Sequence, residues 1–200
     1  MDIILASTST YRQRLLERLQ IRFRCLAPDI DEEQLAGELP AAMALRLALA
    51  KARSVAARHP TAVVIGSDQV GCINGRILGK PGSFANAADQ LRSSSGQDVE
   101  FHTAIALVCL ERNVERFHVE LFTVHFGPLS ASQIESYLER EQPFDCAGSF
   151  KVEGLGIALF KGMTGNDPTS LEGLPLIKLT ELLAEVGLDI LQGPTKPHKM

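Results

Sequence analysis

The sequence predicts an α/β fold built on a mixed β-sheet. Three observations carry the prediction. Apolar strand-like runs alternate with helical stripes along most of the chain, which is the pattern of α/β sheets. One run, AVVIGSD (62–68), is apolar almost without interruption, as suits a strand covered on both faces. Two long strand-like segments flank a polar turn and read as a hairpin, so the sheet is not purely parallel.

Taken in order, residues 2–6 (DIILA) form a short apolar strand. Ser7, Thr8, Ser9 and Thr10 follow, after which Leu15, Leu16 and Leu19 recur at helical spacing. Such a hydroxyl run can cap the helix, or it can join backbone N–H groups and Arg12 in holding an anion there. IRFRCLAP (21–28) alternates as a strand and stops at Pro28. The Ala/Leu/Arg-rich segment 40–59 is a long helix opened by Pro40 and ended by Pro60.

After the strand 62–68, Phe84, Ala87, Ala88 and Leu91 mark a helix that closes at the SSSG run. The hairpin joins 99–110 to 117–126 around ERNVER. Residues 130–141 form a helix capped by Ser130 or Ser132. The last helix passes through Leu176, Ile177, Leu182, Leu183 and Val186 and stops at Gly187. A single domain over 1–191 and a loose tail over 192–200 complete the reading.

With 200 residues, 45% of them hydrophobic, the chain can bury a substantial core. A net charge of -4 argues against a dedicated nucleic-acid binder, yet leaves room for a small anionic ligand held by local cations. Cys25, Cys72, Cys109 and Cys146 show neither CxxC nor zinc-type spacing, so buried or half-buried thiols in a reducing compartment are expected. The N-terminus lacks the pattern of a signal peptide, and no apolar run approaches the ~20 residues of a membrane span. A cytoplasmic protein without a membrane partner is the expectation.

Familiar phosphate motifs fail. GRILGKPG has the wrong glycine spacing for a P-loop and a proline where a hydroxyl belongs, and GLGIAL lacks a third glycine. What remains is dispersed. Asp68 ends the apolar strand, where open α/β sheets place ligand chemistry, although a turn-capping aspartate would look the same. Gln69 shares that rim. Asp31, Glu32 and Glu33 read alone as a solvated loop, and Lys51, in an Ala-rich helix, as a solvated lysine. Lys80 sits in GKP, where the pre-proline backbone is extended. Lys151 and Glu153, two apart in SFKVEG, fall on one side if that segment is extended.

Seven pieces then occur in a recognisable order: SxSxxR (Ser7, Ser9, Arg12), PxxDE (Pro28, Asp31, Glu32), ALAKA around Lys51, VIGSDQV with Asp68, GKP with Lys80, CAGSFKVEG and EGLPL. From residue 3 to about 190 the chain resembles the Maf family of nucleoside triphosphate pyrophosphatases. Within it, the resemblance is nearest to the YceF-like subgroup, which hydrolyses 7-methyl-GTP. Thr10 and Tyr11 stand where the commoner family start, SxSPRR, has proline and the first arginine; that subgroup usually has Trp at the Tyr11 position. The pair Asp68–Gln69 and Glu153 in SFKxEG point the same way.

The resemblance implies two lobes around a cleft, similar to inosine triphosphate pyrophosphatases, a nucleoside triphosphate substrate, and a homodimer as one family arrangement. It implies hydrolysis between the α- and β-phosphates with Mg²⁺ or Mn²⁺ held by Asp68 and Glu32. Asp68 is then the general base, and Ser7, Ser9, Arg12, Lys51 and Lys80 bind the phosphates. Tyr11, Gln69 and Glu153 set base preference. Two alternatives stay open: the same chemistry on dTTP or UTP, and a nucleotide-binding regulator of septum formation.

Overall fold

The computed structural model describes residues 1–192; the tail expected over 192–200 lies outside the described residues except for Gln192. Seven strands form one mixed sheet in the order β2-β1-β3-β5-β6-β7, with β4 pairing β3. In chain order they are β1 (Ile3–Leu5), β2 (Arg24–Cys25), β3 (Val63–Ile73), β4 (Arg76–Leu78), β5 (Asp98–Cys109), β6 (Val114–Phe126) and β7 (Phe160–Thr164). The helices are α1 (Thr10–Glu17), α2 (Pro40–Ala56), α3 (Phe84–Ser94), α4 (Ala131–Glu141) and α5 (Leu176–Glu185).

The longest-reaching element is β3. Its first residues, Val63 to Ile65, pair in parallel with β1, and its last, Gly71 to Ile73, pair antiparallel with β4 on the far side of a tight turn. Asn74 and Gly75, at φ 48° and 76°, make that turn, since Asn-Gly readily takes two consecutive positive φ values. Between those stretches, Gly66 to Val70 has β5 along one edge and, among the described residues, no strand along the other. One continuous strand therefore joins two lobes, and the break in its edge opens the space between them.

Each lobe has its own core. Helices α1 and α5 cover one face of β1, β3 and β5 through Leu15, Leu16, Leu179 and Leu183. Helix α2 covers the other face through Ala44, Ala48, Ala52 and Val55. The second lobe is filled by α3, α4 and an edge-to-face set of rings that includes Phe101, Phe126, Phe150 and Phe160. Contact between α2 and β3 is unusually close: a Cβ at Gly66 would lie 2.1 Å from the Ala48 carbonyl oxygen.

The sequence expectations need six adjustments. The strand expected over 21–28 shrinks to Arg24–Cys25, because it lies at the sheet edge beside a three-residue β1. Cys25 is consequently exposed rather than buried or half-buried. Strand 62–68 runs on to Ile73, and β4 was not expected at all. The hairpin turn is tighter, with β6 starting at Val114. Ser130, not Ser132, caps α4, in a reciprocal capping box with Gln133.

Gly66→Ala should destabilise the protein by about 3 kcal/mol, the upper part of the range for overpacking, because the new methyl meets backbone rather than a movable side chain. Urea denaturation measures it; a midpoint equal to the parent's would contradict this packing.

Candidate functional site

The break in β3's edge is a cleft of about 690 Å³, walled by both lobes. Every residue given a role in catalysis, metal or substrate binding lines it: Ser7, Ser9, Tyr11, Arg12, Glu32, Lys51, Asp68, Gln69, Lys80 and Glu153. Asp31 and Glu33 do not. They are not equivalent in position, and the cleft has two chemically different ends.

At the first end stands the N-terminus of α1. Ser9 caps it, its hydroxyl oxygen accepting from the Arg12 backbone N–H at 3.4 Å. Ser7 Oγ accepts from the Ser9 N–H at 3.1 Å. Capping and anion binding are compatible here. Both hydroxyl hydrogens are free to donate, and the Thr10 and Tyr11 N–H groups, first in the helix, have no intrahelical acceptor. Arg12 donates through Nε to the Gly173 carbonyl at 2.9 Å, which leaves the outer guanidinium nitrogens available. That carbonyl also accepts from Ser67 Oγ at 2.8 Å. Burial lowers the Arg12 pKa, with Asp68 and Glu32 opposing; a guanidinium stays charged regardless.

Lys51 is not a solvated lysine. It is 5% exposed, and its Nζ lies 2.6 Å from Asp68 Oδ1 and 2.8 Å from Glu32 Oε1. The cause is the Gly66 contact: α2 rests on bare backbone, so the turn carrying Lys51 drops to the level of Asp68, two residues along β3 on the same face. Glu32 comes from the acidic loop expected to be solvated and is still mostly exposed, yet its carboxylate reaches the same ammonium. Burial raises the Glu32 pKa, but the Lys51 hydrogen bond and the charges of Lys51, Lys80 and Arg12 outweigh it, so the net shift is downward.

The other end of the cleft is acidic on balance, with Asp145, Glu153 and Glu172 against one lysine, Lys151. Tyr11 is half-buried and its hydroxyl pKa is pushed up to about 12, by burial first and then by Cys146, Asp145 and Glu153. Glu172 is raised by burial and by Glu153, with Arg18 opposing. Asp145, Glu153 and Glu172 thus border one region beside Tyr11. Sequence reading missed Asp145, Cys146 and Glu172. Glu172 opens the EGLPL motif, but nothing in a linear spacing of 145, 153 and 172 says that the three meet.

Two expectations change. Residues 151–154 form a turn closed by the Gly154 N–H on the Lys151 carbonyl, so Lys151 and Glu153 are not on one extended side, and Lys151 Nζ donates to the Glu141 carbonyl. Gln69 does not offer a free donor at the rim. Its Nε2 donates to the Ser170 and Leu171 carbonyls at 2.7 and 3.1 Å and lies 3.1 Å from Thr103 Oγ1, tethering the 168–172 turn to the sheet. Only its carboxamide oxygen remains as an acceptor.

The family described as "Maf-like protein" matches residues 2–186. A protein of Bordetella avium named 7-methyl-GTP pyrophosphatase is 51% identical over 193 residues, covering 96% of this chain and 97% of its own. One of the same name from Vibrio vulnificus is 51% identical over 190 residues, covering 95% and 97%. A solved HAM1 protein from Coxiella burnetii has the same fold, with a TM-score of 0.53 at 16% identity over 92% of this chain and 99% of that one. No helix among the described residues is long and apolar enough to cross a membrane.

The lowered Glu32 pKa has a sign that can be checked. A carboxyl depressed on folding adds stability above its ordinary value, and that stability is lost as pH falls through the folded value. The parent should therefore be more stable than Glu32→Gln at about pH 7, by under ~1 kcal/mol for so exposed a partner, and thermal denaturation should show the gap closing as pH falls below the ordinary carboxyl range. A gap that stays constant across that window would contradict the pairing.

Proposed function

The chain belongs to the Maf family, and on that premise we propose that it is a nucleoside triphosphate pyrophosphatase acting on 7-methyl-GTP, releasing 7-methyl-GMP and diphosphate. The observation that carries the choice of substrate is the polarity of the cleft. Cationic side chains surround Asp68 and the α1 N-terminus at one end; Tyr11 and three carboxylates occupy the other. A nucleotide with an anionic triphosphate and a cationic base matches both ends at once. The names of the relatives from Bordetella avium and Vibrio vulnificus support the same reading.

In this reading the phosphate oxygens accept from Ser7 and Ser9 hydroxyls, from the free N–H groups of α1, and from Arg12, Lys51 and Lys80. Phosphate at a helix N-terminus needs no further device. Asp68 takes the proton of a water whose oxygen bonds to phosphorus as the bridging P–O bond breaks and diphosphate leaves. Lys51 occupies only Oδ1 of Asp68, so the second oxygen is available for that proton. An aspartate is a weak base at neutral pH, so placement of the water supplies much of the effect.

Asp68 and Glu32 would hold Mg²⁺ or Mn²⁺ through hard carboxylate oxygens that Lys51 does not engage, since Lys51 takes only Asp68 Oδ1 and Glu32 Oε1. A divalent ion held by them would supply positive charge to the phosphates as negative charge develops. The base end works through field and stacking. Methylation at N7 makes guanine cationic, Tyr11 can stack on the ring, and Glu153 with Glu172 favours its charge. An arginine at position 11, as in the commoner family start, would oppose it.

Asp68→Asn should fold normally and lose about a hundredfold or more in kcat, the contribution typical of a positioned base. Near-parent turnover at saturating Mg²⁺ would contradict the assignment.

Tyr11→Arg and Glu153→Gln should each lower kcat/KM on 7-methyl-GTP about threefold to thirtyfold more than on GTP, the span of a cation–π contact. Steady-state kinetics on both nucleotides decides; an equal loss on the two would mean that these residues do not read the charge of the base.

A further inference from the structure

Outside the cleft, three metal-binding side chains converge on the sheet surface. Cys72 on β3 lies directly opposite Glu100 on β5, and His102 is two residues further along β5 on the same face. Cys72 Sγ is 3.7 Å from Glu100 Oε2, and His102 Nε2 is 3.6 Å from that same oxygen. All three donor atoms lie within 4.8 Å of one another. Around a tetrahedral zinc ion with ordinary bond lengths, neighbouring N, O and S ligand atoms sit about 3.3–3.6 Å apart. The two distances that meet at Glu100 Oε2 are within a few tenths of an ångström of that range.

The surroundings fit a site more than a packed core. Cys72 is buried, His102 is nearly so, and Glu100 is half open to solvent, so an ion could enter from the Glu100 side and keep a water. Leu121, paired with His102 across the sheet, is exposed, so this end of the face, beyond the part that α2 covers, is open to solvent. None of the three residues belongs to the apolar cores or lines the cleft.

We propose that Cys72, Glu100 and His102 form a second metal site, separate from the cleft, for a borderline-soft divalent ion such as zinc. The thiolate and imidazole exclude Mg²⁺ as the preferred occupant, so the two sites sort ions by ligand softness. The ligands bridge β3 and β5, so the ion ties the strand that runs through both lobes to its neighbour and stabilises the fold by mass action. A thiol must lose its proton to ligate an ion, so binding tightens as pH rises.

The test uses the full chain stripped with chelator and then titrated with Co²⁺ and with Zn²⁺ in the presence of excess Mg²⁺. One equivalent should bind, with thiolate-to-cobalt charge-transfer absorption, and Zn²⁺ should raise Tm. Cys72→Ser should abolish the absorption, and His102→Gln should weaken affinity at least tenfold. Cys25→Ser and Asp68→Asn should retain both. If Cys72→Ser fails to fold, the exposed Glu100→Gln carries the same test, with a tenfold loss of affinity expected. Absence of the absorption, its survival in Cys72→Ser, or unchanged affinity in Glu100→Gln would overturn the proposal.

Discussion

Everything else in this molecule depends on β3 having two different partners along one edge. Parallel β1 claims its first residues and antiparallel β4 its last, leaving Gly66 to Val70 paired on one side only. A strand interior without a second neighbour is normally a liability, since its polar backbone invites pairing with another chain. Here the gap faces the cleft between the lobes. It also determines which side chains meet: Asp68 faces α2 and Lys51, while Gln69 faces the turn at 168–172 on the other side of the sheet. A ligand in the gap reaches both faces of one strand.

The buried charge follows from this geometry. An ammonium with 5% exposure would be costly alone, because desolvation of an ion outweighs most single contacts. Two carboxylates at 2.6 and 2.8 Å compensate it. The arrangement is organised before any nucleotide arrives, and each group already has an oppositely charged partner that a phosphate or a cation can exchange with. Gly173 contributes from the other lobe's connection. At φ 103° it presents one carbonyl to both Arg12 and Ser67, fixing the arginine beside the α1 N-terminus. The acidic end lacks such pairing: Glu153 and Glu172 repel each other, and a cationic base would relieve that repulsion.

Much of this was legible in the sequence, and the failures have physical causes. The order of most strands and helices follows from periodicity, although β4 and β7 do not, and the residues given site roles all line one cleft. Taken alone, Lys51 reads as solvated because a lysine in an alanine-rich helix reports nothing about depth; the ordered motif places it at the site, and the missing side chain at Gly66, across the interface, sets its burial. β4 was missed although Asn74–Gly75 marks a hairpin turn, because the GK pair that follows drew attention as a phosphate motif. Gln69 is tied down by carbonyls 101 and 102 residues away in sequence, which no local pattern encodes. The same holds for Cys72, Glu100 and His102, whose spacing matches no metal motif and whose proximity comes only from strand register.

The central claim is that one cleft takes a triphosphate at its cationic end and a positively charged base at its acidic end. It is tested most directly by giving the unmodified enzyme a panel of canonical nucleoside triphosphates and 7-methyl-GTP with Mg²⁺, and identifying the phosphorus products. The account predicts that 7-methyl-GTP is the preferred substrate and yields diphosphate and 7-methyl-GMP in equal amounts. Preference for dTTP or UTP, or release of orthophosphate with 7-methyl-GDP, would contradict it.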